Sequence, residues 1–190
     1  SDLYAFDGKS KFDIILPGDL VHCDFGITYL TLNTDCQELA YVLKPEETDA
    51  PAFLKQALQQ GNAVQDYLTD NFKTGRTGNE TLRRAIAESK AAGLRPQIYT
   101  HPLGLYGHSA GTTFGMWDAQ EGIPGSGEHP LHENTVYAIE LNAKVFLTEW
   151  DKDVRVMLEE AGYFGPDGFR YVNGRQTKLM LIGNKTRHLE

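Results

Sequence analysis

Four carboxylates and one histidine have the types and spacing to do chemistry in this chain: Asp24, Asp35, Glu140, Glu160 and His108. The acids fall in pairs, and each pair flanks a segment that reads as a β-hairpin. Residues 21–28 and 31–36 flank a turn near Tyr29-Leu30, which sets Asp24 across from Asp35. Residues 138–141 and 156–160 flank a turn centred on Trp150, which sets Glu140 across from Glu160. Directly opposed cross-strand residues have Cβ atoms roughly 4.5–5.5 Å apart, and like charges so placed repel. Two such pairs call for a positive partner, and a pair of divalent metal ions supplies one. Carboxylates bridge ions about 3.5–4 Å apart, a spacing suited to attack on a carbonyl or phosphoryl group. Oxygen-rich ligands with one imidazole suit Mn, Fe, Co or Zn.

Strand alternation chooses between Glu159 and Glu160. Val154, Val156, Leu158 and Glu160 share one face, while Arg155, Met157 and Glu159 share the other. An acid closing a buried apolar row is costly unless paired or ligating, so Glu160 is expected in the site and Glu159 in solvent. His108 lies in Gly107-His108-Ser109-Ala110-Gly111, where small residues let the backbone pass close to a site. His101, earlier in the same stretch, has a role beside the metal, on the substrate or in structure. His22 shares a strand face with Asp24 by parity. His129, His132 and His188 have no partner pattern and read as surface residues.

The elements that must position these residues alternate between strand-rich and helical stretches. Residues 12–43 read as strands, broken by the turn signal Pro17-Gly18-Asp19. Leu54, Leu58, Gly61, Gln65, Leu68 and Phe72 mark one stripe of a helix of about 20 residues. Thr77 and Glu80 form a capping box for a second helix that stops at Gly93. After residue 95 come strands and loops, an irregular glycine- and proline-rich stretch over 122–130, the second acid hairpin, and a last strand near 178–182. Hairpin with two acids, then hairpin with two acids, suggests two related halves around one centre. No linker divides the chain, so residues 1–190 read as a single domain of catalytic type.

The net charge of −8 argues against a nucleic-acid or anionic-membrane partner. These 190 residues open on no signal-peptide pattern and include no apolar run of membrane-spanning length. The location expected on this basis is cytoplasmic. The same register that opposes the two Asp would oppose Cys23 and Cys36. A cross-strand disulfide is one outcome, and buried free thiols are the expected one.

At these residues the chain resembles the metallopeptidases of pita-bread fold that include methionine aminopeptidase, Xaa-Pro aminopeptidase and prolidase. The matching pattern is Asp24-Phe25-Gly26, Asp35 eleven residues on, Gly107-His108, Glu140 and Glu160. Residues 17–21, Asn33-Thr34-Asp35 and Gly174-Arg175-Gln176-Thr177 are most similar to bacterial Xaa-Pro aminopeptidase or dipeptidase-like members. The resemblance implies an α+β fold with a curved antiparallel sheet and helices on its outer face. It implies two divalent ions, manganese ahead of cobalt, zinc or iron, held by Asp24, Asp35, His108, Glu140 and Glu160. It further implies Glu140 as general base on metal-bound water, a peptide substrate cut after an N-terminal residue that precedes proline, and members that often pair as homodimers.

Three departures qualify the match. Only 23 residues precede Asp24, so the chain reads as the C-terminal part of a longer protein. The family's second histidine, seven residues after the ligand histidine, is Gly115, with Trp117-Asp118 resembling that pair displaced. Gly104 stands four residues before His108 where another histidine is usual, which leaves His101 as a shifted substitute with a catalytic role. Against the peptidase stand two alternatives on the same fold: a non-catalytic peptide-binding or scaffold module, and a hydrolase of another bond.

Overall fold

A computed structural model describes residues 14–183. Strand β1 (Leu20–Phe25) runs antiparallel to β4 (Cys36–Val42), and the short pair β2 (Thr28–Tyr29) and β3 (Leu32–Asn33) closes the tip between them. The turn falls on Leu30-Thr31, with Leu30 in the left-handed region at φ 56°. Asp24 therefore faces Gln37 rather than Asp35, and Cys23 faces Glu38 rather than Cys36. A slip of two residues leaves every side chain on its own face, so the two Asp still point to one side. The thiols lose their opposition and are free, Cys23 exposed and Cys36 half-buried. Residues 14–16 form no strand, and Asp13 and His188 lie outside the described residues.

Helix α1 (Ala52–Thr69) buries Leu54, Leu58, Gly61, Gln65 and Leu68 of the stripe read from the sequence, and Phe72 falls beyond its end. Helix α2 (Gly78–Ala91) begins with the expected box: Glu80 N donates to Thr77 Oγ1 at 3.1 Å, and Thr77 N donates to Glu80 Oε2 at 3.0 Å. Gly93, at φ 80°, ends it.

The rest of the chain builds two sheets that share strands end to end. One has the order β5 (Pro96–Ile98), β8 (Leu141–Leu147), β9 (Lys152–Leu158). The other has the order β11 (Gly168–Tyr171), β10 (Ala161–Gly165), β7 (Thr135–Ala138), β6 (His101–Pro102). Strand β5 leads into β6, β7 into β8 and β9 into β10, each through two residues: Tyr99-Thr100, Ile139-Glu140 and Glu159-Glu160. All three crossings lie at one level, tied by Tyr99 N donating to Glu140 O at 3.1 Å and Ile139 N donating to Glu160 O at 2.9 Å. Strand β4 docks at the same level, where Gln37 forms an isolated antiparallel bridge with Glu159. Strand β12 (Met180–Ile182) lies parallel to β4, an exception to the expected antiparallel arrangement.

Helix α1 packs on β8 and β9. A Cβ added at Gly61 would lie 2.8 Å from Val156 Cγ1 and 2.9 Å from Leu158 Cδ1, so helix and strand approach as closely as a glycine allows. The row Val154, Val156, Leu158 is thus core beneath α1, with Leu39, Ile139, Leu141 and Ala143. No helix among the described residues is long and apolar enough to cross a membrane.

Candidate metal centre

The connector between β8 and β9 is a 3₁₀ turn (Thr148–Trp150) closed by Asp151 in the left-handed region. It sets Leu141 opposite Leu158, which brings Glu140 across from Glu159 instead of Glu160. A slip of one residue exchanges the faces. The apolar row packs under the helix, and the mixed row Arg155, Met157, Glu159 faces the cleft. Glu159 is consequently the acid of the site, and the expectation for Glu160 is corrected. Glu160 belongs to the core side, where its Oε1 accepts the main-chain N–H of Gln176 at 2.6 Å.

Six side chains converge at the level of the strand crossings. Their ligand atoms form three groups, each within 4.8 Å: Asp35, His101 and His108; His101, Glu140 and Glu159; Asp24, Asp35 and Glu159. Of the sequence-derived set, Asp24, Asp35, His108 and Glu140 are here, and Glu159 replaces Glu160. His101 belongs to two of the groups, whereas the exposed His108 belongs to one. The two rings touch, with centroids 4.1 Å apart. His101 Nδ1 lies 3.1 Å from Pro102 O, which orients Nε2 toward the acids. Nε2 stands 3.7 Å from Glu140 Oε2, 3.7 Å from Glu159 Oε1 and 4.0 Å from Asp35 Oδ2.

Those separations are too long for hydrogen bonds, and among the described residues the buried His101 Nε2 and Glu159 Oε1 have no hydrogen-bond partner. Buried polar atoms are nearly always paired. Ligand atoms that each lie about 2.0–2.2 Å from one ion stand at such separations from each other. The donor set, carboxylates with imidazole, therefore fits a divalent cation of the Mn, Fe, Co or Zn class.

Electrostatics point the same way. Burial holds the Glu140 carboxyl above the usual carboxylate range, and the Glu159 charge raises it further. Glu159 is raised by burial and then by the charges of Asp35 and Asp24. Asp35 is raised by burial against the lowering influence of His101. Glu160 is pushed up to about 7 by burial, although its bond from Gln176 acts in the opposite direction. Crowded acids of one sign are a cost that a cation offsets.

Gln37 was not anticipated from the sequence. It is two residues from Asp35 on the strand, so period-two alternation places it on the same face, and that was its signal. Its side chain lies between Glu140 and Glu159. His22, expected near the site by parity with Asp24, joins that side chain through its ring. His129 and His132 are exposed, as expected.

The centre opens into a cleft of about 1090 Å³ whose apolar wall includes Tyr99, Met116, Trp117 and Met157. Arg155 lies over the Trp117 ring at 4.3 Å, and Tyr99 meets that ring edge-on at 6.0 Å. Gly115 explains why no imidazole stands there. It is at φ 72°, and a Cβ would lie 2.3 Å from Ile98 O, so the backbone admits no side chain.

Comparison with known proteins places the chain. The X-Pro aminopeptidase of Thermotoga maritima superposes with a TM-score of 0.65 at 19% identity, over 93% of this chain and 46% of that one. The Xaa-Pro dipeptidase of Bacillus anthracis gives 0.61 at 19%, over 88% and 42%. The methionine aminopeptidase of Rickettsia prowazekii gives 0.59 at 15%, over 82% and 64%. The chain thus spans under half the length of the Xaa-Pro enzymes it matches, and the likeness shows the pita-bread fold. A search of curated proteins found no match. The model of Metallopeptidase family M24 matches residues 5–170, through both acid hairpins and both histidines, and the chain belongs to that family.

Proposed function

We propose that this chain carries the dinuclear metal centre of a peptidase that removes the N-terminal residue from Xaa-Pro peptides, with manganese as the preferred ion. The observation that carries the reading is a pair of buried atoms with no hydrogen-bond partner among the described residues, His101 Nε2 and Glu159 Oε1, facing each other among further carboxylates. Asp24, Asp35, Glu140 and Glu159 would hold the ions together with His101 and His108. Bound there, divalent ions supply Lewis-acid polarisation of a carbonyl and offset the crowded negative charge.

The chain's own residues supply the rest. Glu140 Oε1 is held by Gln37 at 2.6 Å, which leaves Oε2 to face the centre and accept a proton. His101 donates from Nδ1 to Pro102 O, which leaves the lone pair of Nε2 fixed beside that oxygen and free to ligate. The wall of Tyr99, Met116, Trp117 and Met157 excludes water from one side of the cleft and suits an apolar side chain. The Xaa-Pro preference is supported by the likeness to an X-Pro aminopeptidase and an Xaa-Pro dipeptidase.

One observation favours a second reading. Position 115 excludes an imidazole and position 104 is also glycine, so two groups that would stabilise charge or protonate a leaving amine are missing. A hydrolase of another bond, or a module that binds peptide without cutting it, would keep the ligands and lose those groups.

Incubating the full-length protein with Xaa-Pro dipeptides and longer Xaa-Pro peptides in Mn²⁺ separates these readings. The peptidase reading expects release of the first residue and a loss of about 10²–10⁴-fold in rate for Glu140→Gln. Peptide binding without turnover, at any Mn²⁺ concentration, would establish the binding module instead.

A further inference from the structure

Gln37 is 2% exposed, and its carboxamide meets three side chains. Nε2 donates to Glu140 Oε1 at 2.6 Å and to Glu159 Oε2 at 3.1 Å. Oε1 lies 2.9 Å from His22 Nε2. The main-chain N–H of the same residue donates to Glu159 O at 3.1 Å, which pins the backbone from which the side chain reaches. Chemistry fixes the amide's orientation. Carboxylates that ligate a cation are ionised and their oxygens only accept, so the NH₂ end must face them. The reverse orientation would set a carbonyl oxygen against two carboxylate oxygens. With Oε1 turned to His22, the imidazole must carry its proton on Nε2 and donate. The result is a directed chain from β1 through β4 to both crossings: His22 to Gln37, and Gln37 to Glu140 and Glu159.

The consequence lies in which oxygens remain. The amide occupies Glu140 Oε1 and Glu159 Oε2. The two oxygens it leaves, Glu140 Oε2 and Glu159 Oε1, are the ones 3.7 Å from His101 Nε2. We propose that Gln37, held by His22, is the positioning residue of the centre, selecting which oxygen of Glu140 and of Glu159 is presented to the metal. This rests on the metal-centre reading above and adds to it two residues that no ligand pattern includes. Outer partners of this kind orient ligands, and their loss typically costs about 10–100-fold in metal affinity.

The test is calorimetric titration of the chelator-stripped full-length protein with Mn²⁺, for wild type and three variants. Gln37→Met fills the space without a donor and should bind about 10–100-fold more weakly. His22→Ala frees the amide to turn and should weaken binding by a smaller factor, about threefold to tenfold. His22→Gln restores a donor toward Oε1 and should recover most of that loss. A merely structural role would move the melting temperatures and leave the affinities alone. Gln37→Met binding Mn²⁺ within about twofold of wild type would overturn the proposal while leaving the metal centre intact. If Gln37→Met fails to fold, the His22 pair decides: equal affinity for His22→Ala and wild type overturns it. Wild type that takes up no Mn²⁺ would remove the metal-centre reading and this one together.

Discussion

The two acid hairpins do similar work in opposite surroundings. The first stands in water: Asp24 is exposed, Asp35 is half-buried, and the tip carries Phe25, Ile27, Tyr29 and Leu30 on the surface. The second lies beneath α1, with Glu159 only 1% exposed and its apolar row packed against Gly61. In the first hairpin Asp24 stays in contact with water, and Asp35 has lost only part of its water to burial. The carboxylates of the second have given up water, so their compensation must come from Gln37, from protons or from a cation. The second hairpin thus carries most of the electrostatic cost, and the first supplies ligands at little expense.

The sharpest way to break this contrast is at Glu159. Glu159→Gln should lower Mn²⁺ affinity by more than about 100-fold, beyond the range of outer partners, and Glu160→Gln should stay within about threefold of wild type. Equal losses in the two variants, read by titration, would mean that Glu160 shares the site.

Next in size is a pH effect on metal-free protein. Burial raises Glu140 and Glu159 above their usual value of 4.5. Between that value and their higher folded values, the folded protein binds more protons than the unfolded chain. Stability is therefore lost as pH rises through that window. In EDTA, the melting temperature should fall by about 5 °C or more between pH 5.5 and 8, a shift that corresponds to a few kcal/mol in a chain of this size. Saturating Mn²⁺ should remove most of that slope. A flat profile in EDTA would contradict the cost assigned to the second hairpin.

Packing gives a smaller effect. Gly61→Val drives a side chain into Val156 and Leu158, and overpacking of this kind costs about 1–3 kcal/mol. Calorimetry should show a melting temperature lower by about 2–10 °C. The smallest change belongs to the first hairpin. Leu30 is 85% exposed and left-handed, a conformation that costs a branched side chain about 1–2 kcal/mol and that Asn tolerates. Leu30→Asn should raise the melting temperature by about 1–3 °C with Mn²⁺ affinity unchanged.

What could be read from the sequence was what local rules determine. The capping box at Thr77 and Glu80, the stop at Gly93 and the stripe of α1 depend on neighbours three or four residues apart. Hairpin register depends on turn geometry, and here Leu30 and Asp151 adopt left-handed backbone without a glycine to announce it. The first register came out two residues away and kept Asp24 and Asp35 on the site face. The second came out one residue away and exchanged Glu159 for Glu160. The alternation argument failed for a physical reason: an apolar row ending in an acid marked the core under α1, and the mixed row marked the cleft. The division of long strands between two sheets, which gathers the acids at one level, had no local signal at all.

The central claim is that these acids and imidazoles hold divalent metal, and metal content tests it most directly. Full-length protein purified without chelator, or reconstituted with Mn²⁺ and dialysed, should carry about two divalent ions per chain, and Glu159→Gln should carry fewer. Fewer than one ion per chain in wild type, with Asp35→Asn leaving the melting temperature unchanged, would contradict the account.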